Sequence, residues 1–191
     1  FNSDNTTLED EIKILSKAPL LFQPNTSWRY SVSMDVLARI IEIVVGDSLQ
    51  NILKQKIFDP LNMQDTGFSV SEQNQYRVMQ SYEFNPLKMK LSELISDPQK
   101  IGNYGYPLNT SSYARGGHGL FSSLNDYAIF AKMLHSGLSK NGYQILNRET
   151  LNLISTNFLD SKHLPIEIAT IGMVKDENYI NGLEAYGWGL G

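Results

Sequence analysis

The stretch Trp28-Arg29-Tyr30-Ser31-Val32-Ser33-Met34-Asp35-Val36-Leu37 sets a phenol directly before the start of a helical pattern. A helix start carries the positive end of the backbone dipole and favours an anionic side chain. A tyrosine held there is a candidate general base. The chain has ten Tyr, and most tyrosine hydroxyls only satisfy a buried acceptor, so position alone leaves both roles open. Ser31 and Ser33 share the same helix start, where capping suffices to explain them. A second stretch, Gly116-Gly117-His118-Gly119, is glycine-rich and precedes a helix. No clear strand leads into it and no Lys follows, so it reads as a tight loop rather than a phosphate cradle. His118, His135 and His163 are far apart, without a His-x-x-x-His pair, and nothing suggests a zinc site. There is no Gly-x-Ser-x-Gly elbow. With no Cys in the chain, a thiolate nucleophile, a thiolate metal site and a disulfide scaffold are all excluded.

The surrounding chain must be able to hold such groups in place. Its 191 residues are 41% hydrophobic, enough to bury a substantial core and to argue against wholesale disorder. Sixteen Lys and Arg against 20 Asp and Glu give a net charge of −4, which argues against a broad nucleic-acid-binding surface. No apolar run approaches the ~20 residues that cross a bilayer, and Glu42 interrupts the longest cluster, Ile40 to Val45. The opening Phe1-Asn2-Ser3 lacks a basic-then-apolar signal layout, and the closing Gly187-Trp188-Gly189-Leu190-Gly191 reads as the entry to a strand. Both ends are expected to be internal positions of a longer protein.

Thr7 and Asp10 stand in capping-box spacing, which predicts a helix over Leu8 to Ser16 with Leu8, Ile12 and Leu15 on one buried stripe. Pro19 closes it, and Pro24-Asn25 marks a turn. The strongest helix follows Tyr30. Val36, Leu37, Ile40, Ile41, Val44 and Val45 repeat at helical spacing with Arg39 and Glu42 between them, and Gly46 ends the run. Asp47 or Ser48 caps the next helix, which carries Leu49, Ile52, Leu53, Ile57 and Phe58 inward, packs on its predecessor and stops at Pro60. Residues 69–113 are irregular, with short strands expected around Arg77 to Tyr82. Ser123 and Asp126, again in capping-box spacing, open a helix that carries Tyr127, Phe130, Ala131 and Leu134 inward and stops at Gly137. Asn147 caps a last helix, Arg148 to Thr156, and 161–191 is Gly-punctuated and β-like.

The run Phe22-Gln23-Pro24-Asn25-Thr26-Ser27-Trp28-Arg29-Tyr30-Ser31, then Asp35 to Glu42 and Gly46, is followed in order by three more segments. These are Ile57-Phe58-Asp59-Pro60-Leu61-Asn62-Met63-Gln64-Asp65-Thr66-Gly67-Phe68, Gly116 to Ser123, and Ile145-Leu146-Asn147-Arg148-Glu149-Thr150. The series resembles the serine β-lactamase and penicillin-binding-protein superfamily, and more narrowly the class C-like branch with the family VIII carboxylesterases. The resemblance covers nearly the whole chain. It implies an α+β fold: a mostly helical subdomain of a β-lactamase/transpeptidase-like fold at 1–160, with an irregular insertion at 69–113. Residues 161–191 would start the α/β domain.

In that family a Ser-x-x-Lys helix supplies the nucleophile, a Tyr-containing second motif the base or proton relay, and a Lys-Thr-Gly or His-x-Gly strand the third motif. The resemblance places Tyr30 and Ser31 in the second motif. Val32 stands where Asn is usual, which fits esterase-like members better than lactamases. No Ser in the chain has a Lys three positions on, so the nucleophile is expected before Phe1. His135-Ser136-Gly137 matches the third motif on paper but ends a helix, and His135 is read as part of that helix end. His118 occupies the loop position that in relatives often lines the substrate groove, and an exposed loop histidine is the plain alternative. Asp35 is often matched in the family, and the helix dipole alone accounts for it. The implied activity is hydrolysis of a small ester or amide through an acyl-enzyme, with no metal, cofactor or nucleic acid. The fragment itself is expected to be inactive, and its exposed face invites self-association. A non-catalytic peptide- or cell-wall-binding relative on the same scaffold is the alternative.

Overall fold

A computed structural model describes residues 7–28, 31–79, 82–85, 89–93 and 114–158. The expected division near 160 and the β-like segment 161–191 lie outside them. Helix α1, Leu8–Leu15, opens with the anticipated capping box: Thr7 Oγ1 accepts the Asp10 N–H at 3.2 Å, and Asp10 Oδ2 accepts the Thr7 N–H at 3.1 Å. The Thr7 hydroxyl, donating to Asp10 Oδ2 at 2.6 Å, and then the Thr7 N–H hold the Asp10 carboxyl below its ordinary range. Leu8 is buried, with Ile12 and Leu15 half-buried behind it.

Helix α2, Ser33–Val45, ends at Gly46, whose φ of 76° is the left-handed conformation that glycine adopts cheaply. Its orientation differs from what an aliphatic repeat suggests. Asp35 and Ala38 are buried, Arg39 and Glu42 are half-buried, and Leu37, Ile40 and Val44 are 45, 51 and 79% exposed. Polar pairing accounts for that orientation. Arg39 bridges Glu9 of α1 at 2.6 Å and Glu42 at 3.1 Å, while Glu42 Oε1 accepts the Leu49 N–H at 2.9 Å. The charged side of α2 thus faces α1 and the next helix. Lys13 and then Arg39 hold the Glu9 carboxyl below its usual range.

Ser48 caps α3, Leu49–Leu53, by accepting the Asn51 N–H at 3.3 Å, and Asp47 Oδ1 accepts the Ser48 N–H and the Asn51 side-chain amide. Leu49, Ile52 and Phe58 are buried as expected. Pro60 does not stop the run. A π-helical turn, Lys54–Phe58, leads straight into the short α4, Asp59–Leu61, where Pro60 sits in a first turn that needs no N–H from it. The stop comes at Asn62, φ 58°, where Met63 donates to Phe58 O and Asn62 to Asp59 O in a Schellman closure.

The strands also lie further along than anticipated. A 3-10 turn, Glu72–Arg77, is followed by an antiparallel hairpin of β1, Tyr82–Asn85, and β2, Lys90–Glu93, with Tyr82 opposite Glu93 and Asn85 opposite Lys90. Arg77 belongs to the turn because its guanidinium forks onto both Asp65 carboxylate oxygens at 2.6 Å.

Helix α5, Leu124–Ser136, is capped by Ser123 and ends at Gly137, φ 78°. Asp126 does not close the expected capping box. Its buried carboxylate accepts the Asp65 N–H at 2.8 Å and the Thr66 hydroxyl at 2.9 Å, stitching α5 to the segment after α4. That bond sets the rotation of the helix. Met133 is buried with Ile129 and Phe130 beside it, while Tyr127, Ala131 and Leu134 are exposed rather than inward. Helix α6, Arg148–Ile154, starts at the predicted Asn147 cap. Among the described residues two apolar clusters result: Leu8, Ala38, Leu49, Phe68 and Ala114 form one, and Phe58, Leu61, Met63 and Met133 the other, with Leu53 against both.

Hydrogen bonds from Arg77 hold the Asp65 carboxyl below its ordinary value of 3.8. A depressed carboxylate adds stability above its unfolded value and loses it as pH falls through its folded value. Arg77→Gln is expected to lower the urea midpoint at neutral pH, with the gap from wild type closing as pH drops beneath 3.8. A gap that persists in acid would show that the ion pair is not its source.

Candidate active site

Tyr30 lies outside the described residues. The residues just after it do not: Ser31 is exposed, Val32 takes the cap position of α2 without a side-chain hydrogen bond, and Asp35 stands buried in the first turn. Packed on this helix start is the glycine-rich loop, 82 residues further along the chain from Asp35 to Gly117. The Gly117 N–H donates to Asp35 Oδ1 at 3.1 Å. A Cβ added to Gly116 would lie 2.0 Å from the Met34 carbonyl oxygen and 2.9 Å from the Ala38 Cβ. Backbone therefore touches backbone, and only glycine fits.

Three further ties fix the loop. Arg115, 2% exposed, forks onto Glu11 of α1 through Nε and Nη2 at 2.7 Å each, and its Nη1 donates to Ala114 O at 3.0 Å. Ala114 is part of the apolar cluster with Leu8 and Ala38. Beyond the glycines, Phe121 and Gly67 exchange backbone hydrogen bonds at 2.8 and 3.0 Å. Between these anchors lies His118, exposed, with Gly119 at a φ of 91° just after it. The loop is thus fixed at both ends and in its middle.

The sequence pointed to both halves of this arrangement separately, and the structure brings the α2 start and the His118 loop together. It gives Asp35 a task beyond the dipole, as acceptor for the loop amide. Glu11 and Arg115 had no assigned role. The one available signal was an Arg next to a glycine pair, and its partner 104 residues away leaves no local pattern. An open cleft of about 520 Å³ lies elsewhere, lined by Thr7, Glu9, Arg39, Glu42, Asp47 and Ser48 toward the other end of α2. Its Arg39 is already paired with two carboxylates, and we take the α2 start with its loop as the candidate site on geometry.

The sequence model of a family described as Beta-lactamase matches residues 2–169. The chain belongs to the β-lactamase family. Among curated relatives, the lovastatin esterase of Penicillium rubens is 34% identical over 129 residues, covering 65% of this chain and 29% of that protein. Esterase EstB of Burkholderia gladioli is 27% identical over 126 residues, covering 62% and 32%. The solved structure of EstCE1, a hydrolase with promiscuous acyltransferase activity, superposes with a TM-score of 0.67 at 23% identity, covering 84% of this chain and 42% of that one. That likeness establishes the β-lactamase/transpeptidase-like fold, represented here by its mostly helical part. The chain spans about a third of the length of the curated relatives it matches.

Within this β-lactamase-family fold, His135-Ser136-Gly137 is the C-terminus of α5. His135 lies in its last turn, Ser136 Oγ donates to Lys132 O at 3.1 Å and accepts the Leu138 N–H at 3.1 Å, and Gly137 supplies the left-handed stop. That is the helix-ending role expected of it. The two loop glycines should behave very differently on substitution. Gly116→Ala must push apart two backbones, at a cost of about 1–3 kcal/mol or more. Gly117→Ala meets nothing closer than Asp35 Oδ2 at 3.6 Å, an ordinary contact, and is expected to cost under about 1 kcal/mol. Urea denaturation of the two variants gives the comparison, and equal losses would contradict the close approach at Gly116.

Proposed function

We propose that this chain is part of a serine hydrolase that cleaves small esters through an acyl-enzyme, esterase-like more than lactamase-like. The supporting observation is the packing of the α2 start against the His118 loop, tied by Asp35 and the Gly117 amide at 3.1 Å. That contact joins the segment following Tyr30 to a fixed loop carrying an exposed imidazole. Two curated relatives are named as esterases, and Val32 stands where a lactamase-like second motif carries Asn.

In this reading Tyr30 takes the proton from an attacking serine hydroxyl, whose oxygen adds to the ester carbonyl. The tetrahedral adduct collapses with the proton passed to the departing alcohol, and water then hydrolyses the acyl-serine by the same route. His118 contacts the acyl group from the groove wall. No Ser-x-x-Lys occurs in the 191 residues, so the nucleophile comes from other residues of the parent polypeptide, and neither metal nor cofactor takes part.

In the parent protein, Tyr30→Phe is expected to lower hydrolysis of a nitrophenyl ester by about 10²-fold or more, the scale of a lost general base. Unchanged turnover would return Tyr30 to a structural role. The wild-type parent should also accumulate an acyl adduct, visible by mass spectrometry of acid-quenched protein, and the 191-residue chain alone should show neither adduct nor turnover. An intact parent that forms no adduct with any ester would instead be the non-catalytic binding relative.

A further inference from the structure

We propose that Glu11 and Arg115 are positioning residues for this reaction, acting through the loop that carries His118; the inference rests on the hydrolase reading above. The geometry makes the case. Arg115 immediately precedes Gly116 and Gly117, the two residues whose backbone lies on α2. A glycine pair has the least intrinsic conformational preference of any dipeptide, so its path must be imposed from outside. Asp35 imposes it from one side with a single hydrogen bond. Arg115 imposes it from the other with a planar fork, Nε and Nη2 both at 2.7 Å from the two Glu11 oxygens, and with Nη1 on the carbonyl of Ala114 at 3.0 Å. Five donors in one rigid plane fix direction as well as distance, which a lysine ammonium cannot do. Glu11 in turn belongs to α1, whose capping box holds its first turn and whose Leu8 lies in the core.

The arrangement has a feature that stability alone does not call for. A buried ion pair adds little net stability compared with apolar packing of the same volume, and the apolar cluster is directly beside it at Ala114. What the fork does supply is a fixed orientation for the residue leading into the loop. Displacing a groove wall by about 1 Å is enough to lower turnover by up to two orders of magnitude.

The test uses the parent protein and Arg115→Lys, which keeps the charge and most of the length but loses the fork, with Glu11→Gln as a second variant should the first not fold. Sites are counted by the acyl adduct, so that kcat is expressed per competent molecule. Hydrogen exchange is followed in peptides covering 114–121 and 49–61. The expected result is faster exchange in 114–121 with no change in 49–61, and a fall of about tenfold in kcat per titrated site that exceeds any change in KM. If kcat per titrated site stays within twofold while 114–121 exchanges faster, the pair is only structural and the inference is overturned. Loss of protection in both peptides with unchanged kcat overturns it in the same way. A wild-type parent that forms no adduct overturns the hydrolase reading and this inference with it, and is thereby distinguished from failure of the pair alone.

Discussion

The site depends on one close approach, that of the Gly116 backbone to the Met34 carbonyl, where no side chain fits. Three other contacts of the loop are made together with it. With the loop backbone on α2, the Gly117 N–H comes within reach of Asp35, Ala114 turns into the cluster of Leu8, Ala38 and Phe68, and Arg115 is directed toward α1. A larger separation would cost all three together, because none of them has slack: the hydrogen bonds are near their ideal lengths and Ala114 has only a methyl group to offer. Asp35 also explains how α2 can begin without a side-chain cap. Its carboxylate in the first turn is itself favoured by the helix dipole, and it uses that position to accept a donor from outside the helix.

Charged groups, rather than apolar ones, set the mutual orientation of the helices. Arg39 joins α2 to α1 through Glu9, Glu42 joins α2 to the start of α3, Arg115 joins the loop to α1, and Asp126 joins α5 to Asp65 and Thr66. Each of these bonds is directional, whereas the buried apolar clusters are small and tolerate rotation. The polar ties therefore select one arrangement among several that would bury similar area.

That division also explains what was legible in the sequence. Caps and stops are local chemistry, and Thr7 with Asp10, Gly46, Ser48, Gly137 and Asn147 all act where their types and spacing place them. Tertiary partners leave no such trace. Asp126 stands in capping-box spacing from Ser123 yet bonds across 61 residues, and with that bond α5 turns Tyr127 outward and Met133 inward. Pro60 reads as a stop because the π turn ahead of it, which lets the helix restart with proline in its first turn, has no sequence signature. The glycine loop and the start of α2 were each recognisable by residue type and family order. Their contact was not, since it is made by backbone atoms that every sequence shares.

The polarity of α2 connects these points. At 100° per residue Leu37, Ile40 and Val44 fall within about 60° of one another, with Asp35 and Glu42 on the far side of the axis. The aliphatic repeat marks one face, but periodicity identifies a face without saying what it meets. Here the polar side is occupied by α1, α3 and the glycine loop, and the aliphatic row is left at the surface. Asp35 and that row belong to a single rigid helix, so the first turn of α2 is where a face held by directed polar bonds adjoins a face able to bury apolar area. In the sequence Tyr30 stands three residues before that turn, and the residue beside His118, Gly117, is tied to the same turn through Asp35.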